Sequence, residues 1–407
     1  MNHHKRQLLR TIAAVCSTYA APWPVSAHNT PPTSEAWADS TRHLASKLLA
    51  SDTNTVVSPL SIWAALAMTH VGARSDTASE IAKALQMPND AASFAQSWLA
   101  IQTRQQRLAQ SPVKLHTANR VWLDAQYAVS PSYLQSLRRD YRVNPALLDF
   151  VKQPESARQH INTWVSAQTY ARIPELLPAG LITSMTRLVL TQAMYLKAPW
   201  QTAFDASQTR NEAFTLSSGR VISVPMMHQR HECLAGVITR GNATLQVVEL
   251  PYATDDLRMV LVVPQSARHL NDAIAQMAQD WTTTLRSQEV VLAMPRWKTR
   301  QALGLNTALQ QLGIHQAFNP SSADFSGISN QRDLFISAVQ HEAFVEVSEE
   351  GTEAAAATGT IMTTKALVSI ATPFTIRADR PFAWAVVDSQ TRGVLFAGVV
   401  QDPRSGN

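Results

Sequence analysis

Residues 345–359 read VEVSEEGTEAAAATG, a stretch that joins a strand-like pattern to a run of very small side chains. Its opening alternates valine with polar side chains, which predicts a β-strand. The following run contains four consecutive alanines, which have high helix propensity, but no large apolar residue gives such a helix a face to bury. One interpretation is a short exposed helix or a flexible linker. The other is a mobile segment that must later fit a tightly packed slot, because small side chains anchor weakly and clash with little.

Length and composition predict a globular protein. The chain has 407 residues, of which 45% are hydrophobic and 16% charged, so it is expected to be ordered rather than disordered. Length alone suggests two or three domains. No window reaches the roughly 18 unbroken apolar residues that a membrane-spanning helix needs, so we expect no membrane partner.

The N-terminus has the pattern of a secretory signal peptide, residues 1–27. Residues 1–10 contain three basic side chains, residues 8–21 are mostly apolar, and residues 25–27 (VSA) resemble a small-residue cleavage site. We expect cleavage after Ala27 and a secreted or periplasmic product. The alternative is a disordered basic tail.

Removing this segment changes the charge and the cysteine content of the mature chain. The segment carries three basic and no acidic residues, so the formal net charge falls from +5 to 32 − 30 = +2. Such a small charge gives no reason to expect a nucleic-acid partner. Of the two cysteines only Cys233 remains, so the mature chain cannot form an internal disulfide and must rely on its core.

Helical patterns concentrate early in the chain and strand patterns later. Residues 28–35 are read as a proline-rich linker. Helices are then predicted near 37–49, 56–71, 91–110 and 303–312. The second of them opens with Ser58-Pro59, a typical N-cap and first-turn proline. Short strands are predicted at 188–196, 246–250, 257–263, 290–293, 335–339, 383–387 and 394–400. This arrangement favours the α+β class.

Short motifs along the chain resemble those of the serpins, the serine-protease-inhibitor superfamily. Residues 349–358, with Glu-Glu-Gly-Thr-Glu followed by alanines and a threonine, resemble the reactive-loop hinge of that family. Further matching motifs lie at 54–62 (NTVVSPLSI), 118–122 (ANRVW), 149–150 (DF), 161–165 (INTWV), 195–200 (YLKAPW), 249–252 (ELPY), 323–327 (ADFSG), 379–382 (DRPF) and 395–398 (LFAG). Each motif alone is weak, but their shared order along nearly the whole mature chain is specific.

The resemblance implies the fold and the general activity. It implies one serpin domain, residues 36–407, in place of the two or three domains suggested by length. The expected fold is α+β, with three β-sheets surrounded by eight or nine helices and an exposed reactive-centre loop at about residues 351–373. The expected activity is that of a protease inhibitor and not of an enzyme. The protein would be a monomer without a cofactor.

The resemblance also implies roles for the residues of the loop. The hinge would consist of Glu350, Gly351, Thr352, Glu353, Ala354, Ala355, Ala356, Ala357 and Thr358. In serpins the scissile bond usually lies fourteen positions after the hinge glycine, which places it between Lys365 and Ala366. A lysine there predicts a trypsin-like target, whose specificity pocket carries a carboxylate. A cut after Leu367 or Val368 would instead favour chymotrypsin-like or elastase-like proteases.

The implied mechanism is irreversible suicide-substrate inhibition. After attack, the protease would remain joined to the loop as a covalent ester while the hinge enters the main sheet, an established case of β-strand addition. Side chains alternate between the faces of a strand, so Thr352, Ala354, Ala356 and Thr358 would share one face. These side chains are small and uncharged, as the tight inner face requires.

Two further groups of residues would control this insertion. The shutter would consist of Ser58, Ser61, Gln192 and His341, where the family usually has asparagine in place of Gln192. At the breach, where insertion begins, Glu349 would form an ion pair with Arg296 next to Trp200.

Other interpretations remain open from the sequence. The chain could be a non-inhibitory serpin that acts as a carrier, chaperone or storage protein, although the intact hinge argues against this class. A hydrolase has no motif to support it. His228, His231 and Cys233 are close in sequence but lack a fourth metal ligand, so no metal is expected. Finally, Arg104, Arg107 and Lys114 are read as a solvated face rather than as a site for a polyanion.

Overall fold

A computed structural model describes residues 32–86, 98–99, 101–104, 107–108, 112–331, 333–352 and 372–405. The α-helices with complete bounds are α1 (Pro32–Leu48), α2 (Pro59–His70), α3 (Ser75–Ala84), α4 (Pro131–Ser136), α5 (Pro154–Gln168), α6 (Leu270–Gln276) and α7 (Asn306–Gln311). Residues 98–99, 101–104 and 107–108 are also helical, within the predicted helix at 91–110. A π-helical turn, Leu137–Tyr141, follows α4 directly.

Three helix boundaries differ from the sequence prediction. The helix predicted at 56–71 begins only at Pro59, because Val56 and Val57 belong to a strand. Helix α1 begins at Pro32, inside the segment 28–35 that was predicted to be a linker. Proline is tolerated in the first turn, where its missing N–H has no intrahelical partner to lose. Helix α7 is shorter than the predicted helix at 303–312, because residues 297–304 belong to a strand. None of the helices within the described ranges has the length and apolarity needed to cross a membrane.

The first sheet has six strands and contains the described part of the 345–359 stretch. Its strands are β2 (Lys114–Asp124), β3 (Ala146–Leu148), β4 (Leu188–Pro199), β10 (Trp297–Gly304), β11 (Ile336–Ser348) and β12 (Gly351–Thr352). Their order is β10-β11-β12-β4-β2-β3, and β11 also pairs with β4 directly, in parallel. The two-residue β12 therefore occupies one end of the seam between two long strands.

The second sheet has nine strands. They are β1 (Thr55–Val57), β5 (Arg210–Thr215), β6 (Val221–Arg240), β7 (Ala243–Pro251), β8 (Leu257–Pro264), β9 (Arg286–Pro295), β13 (Phe374–Arg377), β14 (Phe382–Asp388) and β15 (Val394–Val400). Their order is β1-β15-β14-β8-β7-β6-β9-β13, with β5 paired to β6.

The described strands thus form two hydrogen-bonded sheets where the resemblance implied three. The reason is the 20-residue strand β6, which changes partners along its length. Its start pairs with β5, its middle with β9 and its end with β7. A single strand therefore joins two groups of strands that would otherwise be separate sheets. The expected α+β class is confirmed.

The core lies between the two sheets, around α2. Ser58 caps α2 by accepting a hydrogen bond from the backbone N–H of Ser61, and Pro59 occupies the first turn. Every residue from Pro59 to Thr69 is buried, because α2 contacts β2 and β4 on one side and β15 on the other. Helix α5 covers the opposite face of the six-stranded sheet with Ile161 and Val165.

Candidate functional site

The start of the predicted hinge lies inside the six-stranded sheet. Gly351 pairs with Ser348 of β11 and with Pro199 of β4, while Thr352 pairs in the same way with Val347 and Ala198. Further along, β11 and β4 pair with each other over Ile336–Phe344 and Leu188–Tyr195. The hinge therefore begins where the two strands diverge. The remaining predicted hinge and scissile-bond residues lie outside the described ones, namely Glu353, Ala354, Ala355, Ala356, Ala357, Thr358, Lys365 and Ala366.

Thr352 is fully buried and has a specific partner. Its hydroxyl lies 2.7 Å from the phenol oxygen of Tyr252, which is itself fully buried. The Tyr252 ring stacks on Trp200 with 4.7 Å between ring centroids and an interplanar angle of 8°. The Trp200 indole N–H in turn donates to the carbonyl of Ser348 at 3.0 Å. Thr352 is thus held by a pocket of two stacked rings that is also bonded to the end of β11.

Gly351 is required at its position by backbone geometry. Its φ angle is 147°, a value that side chains of L-residues rarely allow. A Cβ atom there would lie 2.2 Å from the carbonyl oxygen of Ala198 and 2.6 Å from Cα of Pro199. Any larger residue would therefore push β12 away from β4.

The ion pair predicted at the breach is present. Arg296 Nε lies 2.7 Å from Glu349 Oε1, and the Glu349 side chain is only 9% exposed. The same carboxylate oxygen accepts a hydrogen bond from the hydroxyl of Thr209 at 2.5 Å. The Glu350 carbonyl, one residue further on, accepts from the backbone N–H of Trp200 at 2.9 Å. Because charge-assisted hydrogen bonds are the stronger kind, Glu349 fixes the turn from which the hinge starts.

Three of the four predicted shutter residues meet at the start of α2. The backbone N–H of Ser58 donates to His341 Nε2 at 3.0 Å, and the Ser58 hydroxyl donates to the carbonyl of Leu395 at 2.8 Å. Complete burial lowers the pKa of His341 to about 3, so its imidazole is neutral. Because Nε2 accepts a hydrogen bond, the proton is assigned to Nδ1. Ser61 takes part through its backbone N–H rather than its hydroxyl.

Gln192, the fourth shutter residue, is placed beside His341 but is not bonded to it through its side chain. The register of the sheet sets Gln192 between Asn119 of β2 and His341 of β11. Gln192 is fully buried. The side-chain amides of Gln192 and Asn119 find no hydrogen-bond partner among the residues that the structure describes. A buried polar group in this situation is destabilising by about 1–3 kcal/mol.

This arrangement predicts that Gln192→Met stabilises the uncleaved protein. Methionine has a similar length and no amide to desolvate, so the free energy of unfolding is expected to rise by about 1–3 kcal/mol. Urea unfolding of the uncleaved protein measures this change. Gln201→Met, at an exposed position after β4, serves as the control and should leave the midpoint unchanged. An unchanged or lower midpoint for Gln192→Met would contradict the prediction.

The histidine and cysteine motif does not form a metal site in the described structure. His228 Nε2, on β6, lies 2.8 Å from Glu212 Oε1, on β5. Burial, together with the nearby Glu249 and Glu232, raises the pKa of the Cys233 thiol to about 12. Within the described ranges there is no group of three or more side chains suited to hold a metal ion.

Of the three basic residues Arg104, Arg107 and Lys114, the first two lie beside acidic partners. Arg104 forms an ion pair with Asp388 and a hydrogen bond with Gln390. Arg107 lies 3.7 Å from Asp256. Pairing of this kind leaves less positive charge for a polyanion.

Comparison with known proteins identifies relatives over nearly the whole chain. A family model described as Serpin (serine protease inhibitor) matches residues 36–403. The chain is 33% identical over 360 residues to the "Serine protease inhibitor" of Cyanea capillata, which covers 87% of this chain and 93% of that protein. It is 37% identical over 362 residues to the "Leukocyte elastase inhibitor A" of Rattus norvegicus, with coverage of 86% and 93%.

Solved structures show the same fold. The structure of Serpin48 from the insect Tenebrio molitor matches with a TM-score of 0.77 and 27% identity, covering 92% of this chain and 99% of that one. Native protease nexin-1, crystallised with heparin, matches with a TM-score of 0.80 and 24% identity, covering 91% and 99%. At that identity the second match supports the fold alone.

Proposed function

Because the chain belongs to the serpin family of serine protease inhibitors, we propose that it inhibits a trypsin-like serine protease irreversibly, as a suicide substrate. Family membership places it among protease inhibitors and not among enzymes. The observation that carries the proposal is the position of Gly351 and Thr352, which already pair with both β11 and β4. An inserting loop needs an entry point between two strands, and this position supplies one.

The proposed chemistry begins as an ordinary proteolytic attack. The serine hydroxyl of the protease adds to the carbonyl of Lys365, and the amine of Ala366 leaves as the Lys365–Ala366 peptide bond breaks. The products are an ester that joins the protease to Lys365 and a new N-terminus at Ala366. Since the loop is then free at one end, the hinge can continue into the sheet from Thr352.

Insertion is expected to disable the attached protease. Thirteen residues of new strand, 353–365, at roughly 3.3 Å each would carry it about 43 Å. About ten new backbone hydrogen bonds, at about 1 kcal/mol each, would supply about 10 kcal/mol. Displacing catalytic groups by about 1 Å can cost about a hundredfold in rate. Hydrolysis of the ester would therefore stall.

The burial of Thr352 supports the assignment of the inner face. Strand alternation from this residue puts Ala354, Ala356 and Thr358 on the same side. All three are small and uncharged, so they can follow Thr352 into the space between β11 and β4. A non-inhibitory serpin has no need of such a series.

Elastase-like proteases are the second candidate target. Among the relatives are leukocyte elastase inhibitors from several vertebrates. In this chain, a cut after Leu367 or Val368 would suit such a protease. The choice between the two target classes depends on which bond is cut.

Mixing experiments test both candidates. With trypsin, we expect an SDS-stable band of the combined mass together with a small C-terminal fragment whose sequence begins at Ala366. Pancreatic elastase is the parallel arm, and a fragment beginning at Val368 or Ser369 would move the assignment to the second candidate. Clean cleavage without a stable complex in either arm would contradict the inhibitory function and would favour a carrier or storage role.

Cleavage of the loop is expected to raise the thermal stability of the protein. The entropy of unfolding, about 2.1 cal/mol/K per residue, amounts to ~0.8 kcal/mol/K for a domain of this size. A gain of about 10 kcal/mol therefore corresponds to a rise in Tm on the order of 10 °C. Calorimetry of the loop-cleaved protein measures it, with uncut protein incubated with active-site-blocked trypsin as the control. A cut molecule that melts no higher than the uncut one would rule out insertion.

We further propose that the protein is exported and acts as a monomer. The pattern of residues 1–27 supports export through a signal peptide. N-terminal sequencing of protein recovered from the medium or periplasm should begin at His28. A recovered protein whose sequence still begins at Met1 would contradict the proposed cleavage after Ala27.

A further inference from the structure

The far end of the predicted loop is attached to a different sheet from the hinge. The hinge start, β12, lies in the six-stranded sheet, whereas β13 (Phe374–Arg377) lies at the edge of the nine-stranded sheet. Residues 353–373 connect the two. As long as β13 stays paired, a strand entering from Thr352 cannot carry the far end of an uncut loop with it. Full insertion therefore requires either a cut in the loop or release of β13.

Few backbone contacts hold β13. It is four residues long, and among the described strands it pairs with β9 alone, in parallel. A neutral hydrogen bond from Gln246 to the carbonyl of Thr375, at 3.0 Å, adds to this pairing. The side chain of Ile376 is buried. So short an edge strand depends strongly on its side-chain contacts.

The charged contact that joins β13 to another strand comes from Glu212 on β5, and Asp379, two residues after Arg377, adds a longer contact of 3.4 Å to Arg377 Nε. Arg377 Nη2 donates to Glu212 Oε2 at 2.6 Å. The other oxygen, Oε1, accepts from Arg210 Nε at 2.7 Å and contacts His228 Nε2 at 2.8 Å. These contacts, with Arg377 as the largest, lower the pKa of Glu212 to about 2. One carboxylate thus stands among three basic side chains, and its side chain is only 15% exposed.

The register of the strands explains how Arg377 reaches so far. Arg377 pairs with Ala293 of β9, and Ala293 pairs with His228 of β6. The small alanine lies between two long side chains, so the guanidinium of Arg377 can pass over it toward β5. The clasp, defined as Arg377, Glu212, Arg210 and His228, therefore spans four neighbouring strands.

We propose that Glu212 is a positioning residue that keeps β13 attached in the uncut protein, and so determines how long the protein retains its inhibitory form. This inference rests on the proposed function. Loss of the Glu212 carboxylate would remove the acceptor that ties Arg377 to β5, so that Arg377 would keep only its 3.4 Å contact with Asp379, two residues along its own segment. It would also leave basic side chains facing one another. Release of β13 would then become faster, and the uncut loop would insert without trapping a protease.

The test compares Glu212→Gln with Glu289→Gln. Glu289 forms the same kind of pair with Arg230 in the same sheet, at 2.8 Å, and among the described residues its carboxylate makes no ion pair with β13. Each protein is incubated at 37 °C without protease, sampled over time, and mixed with trypsin to measure the SDS-stable complex. We expect all three proteins to form equal complex at time zero. We expect the half-life of this activity to fall about tenfold or more for Glu212→Gln only. An unchanged half-life, or an equal fall for Glu289→Gln, would overturn the proposal.

Further variants separate the clasp from a general loss of stability. Arg377→Gln should shorten the half-life in the same way, and the double variant with Glu212→Gln should decay no faster than the faster single variant, because both remove one interaction. Arg377→Lys keeps a positive charge and should recover most of the half-life. Urea midpoints of the freshly prepared variants should match that of the wild type. Additive acceleration in the double variant would show that the two residues act separately and would overturn the clasp.

The proposal can fail separately from the proposed function. If wild-type protein forms no complex with any protease at time zero, the proposed function fails. The effect of the clasp is then measured on the uncut protein alone. Loop insertion without cleavage should raise the Tm of this protein during incubation. Faster acquisition of this raised Tm by Glu212→Gln than by Glu289→Gln supports the clasp, and equal rates refute it.

Discussion

Replacing Thr352 with arginine is expected to convert the protein from an inhibitor of trypsin into a substrate. Thr352 is fully buried, and its hydroxyl bonds to Tyr252. An arginine at this position would place an unpaired charge in the seam between β11 and β4, which costs about 3–5 kcal/mol. Insertion would slow accordingly, and the ester would be hydrolysed first. We expect the number of inhibitor molecules consumed per trypsin inhibited to rise at least about a hundredfold.

Titration of trypsin activity against each variant measures this ratio. Thr352→Ser keeps a small side chain and the hydroxyl, so it should inhibit as the wild type does. Thr352→Val keeps the size but loses the bond to Tyr252, which separates the hydrogen bond from the steric demand. If Thr352→Arg still forms the SDS-stable complex in full yield, loop insertion does not depend on a small uncharged side chain at this position.

Replacing Lys365 with glutamate is expected to abolish trypsin inhibition. The proposed target binds the lysine ammonium through a carboxylate in its specificity pocket. A glutamate would bring two negative charges together there and leave both without a partner, so the rate constant of inhibition should fall about a thousandfold. Lys365→Arg is the matched control and should retain inhibition. The rate constants of inhibition are obtained from the trypsin activity that remains at fixed times after mixing with each variant.

The same variants determine which bond is cut. If Lys365→Glu inhibits trypsin normally, the scissile bond lies elsewhere. Leu367→Glu and Val368→Glu then identify it, because only the residue that enters the specificity pocket should matter so strongly. A loss of elastase inhibition in one of these two variants would assign the protein to the second target class.

The strands found from sequence are those with continuous apolar runs. Residues 257–263, 383–387 and 394–400 correspond to β8, β14 and β15, which are buried along most of their length. Such strands are recognisable because both of their faces are covered. The long strand β6 was missed, because it mixes histidine, glutamine and arginine with apolar residues and changes partners along its length. Because β6 joins strands that would otherwise form separate sheets, the number of sheets could not be predicted from the local sequence pattern.

The contacts of the candidate site were predictable only where the family resemblance assigned them. It placed Glu349 opposite Arg296, and the structure contains this pair. The sequence around Thr352 does not predict its hydrogen bond with Tyr252. The two residues are 100 positions apart and meet only when β12 enters the sheet. Glu212 is equally hidden, since its partner Arg377 is 165 positions away. Interactions of this length are set by the register of strands, which a single sequence does not reveal.

The placement of β14 and β15 has a consequence for how the chain acquires its structure during translation. Both strands come from the last part of the chain, yet they lie between β1 and β8, which the ribosome completes much earlier. Until the final segment emerges, the facing edges of these two early strands have no partners. Closure of this sheet must therefore wait until both strands have been synthesised, and a nascent chain that stalls before residue 382 is expected to expose two unpaired edges to chaperones or to other nascent chains.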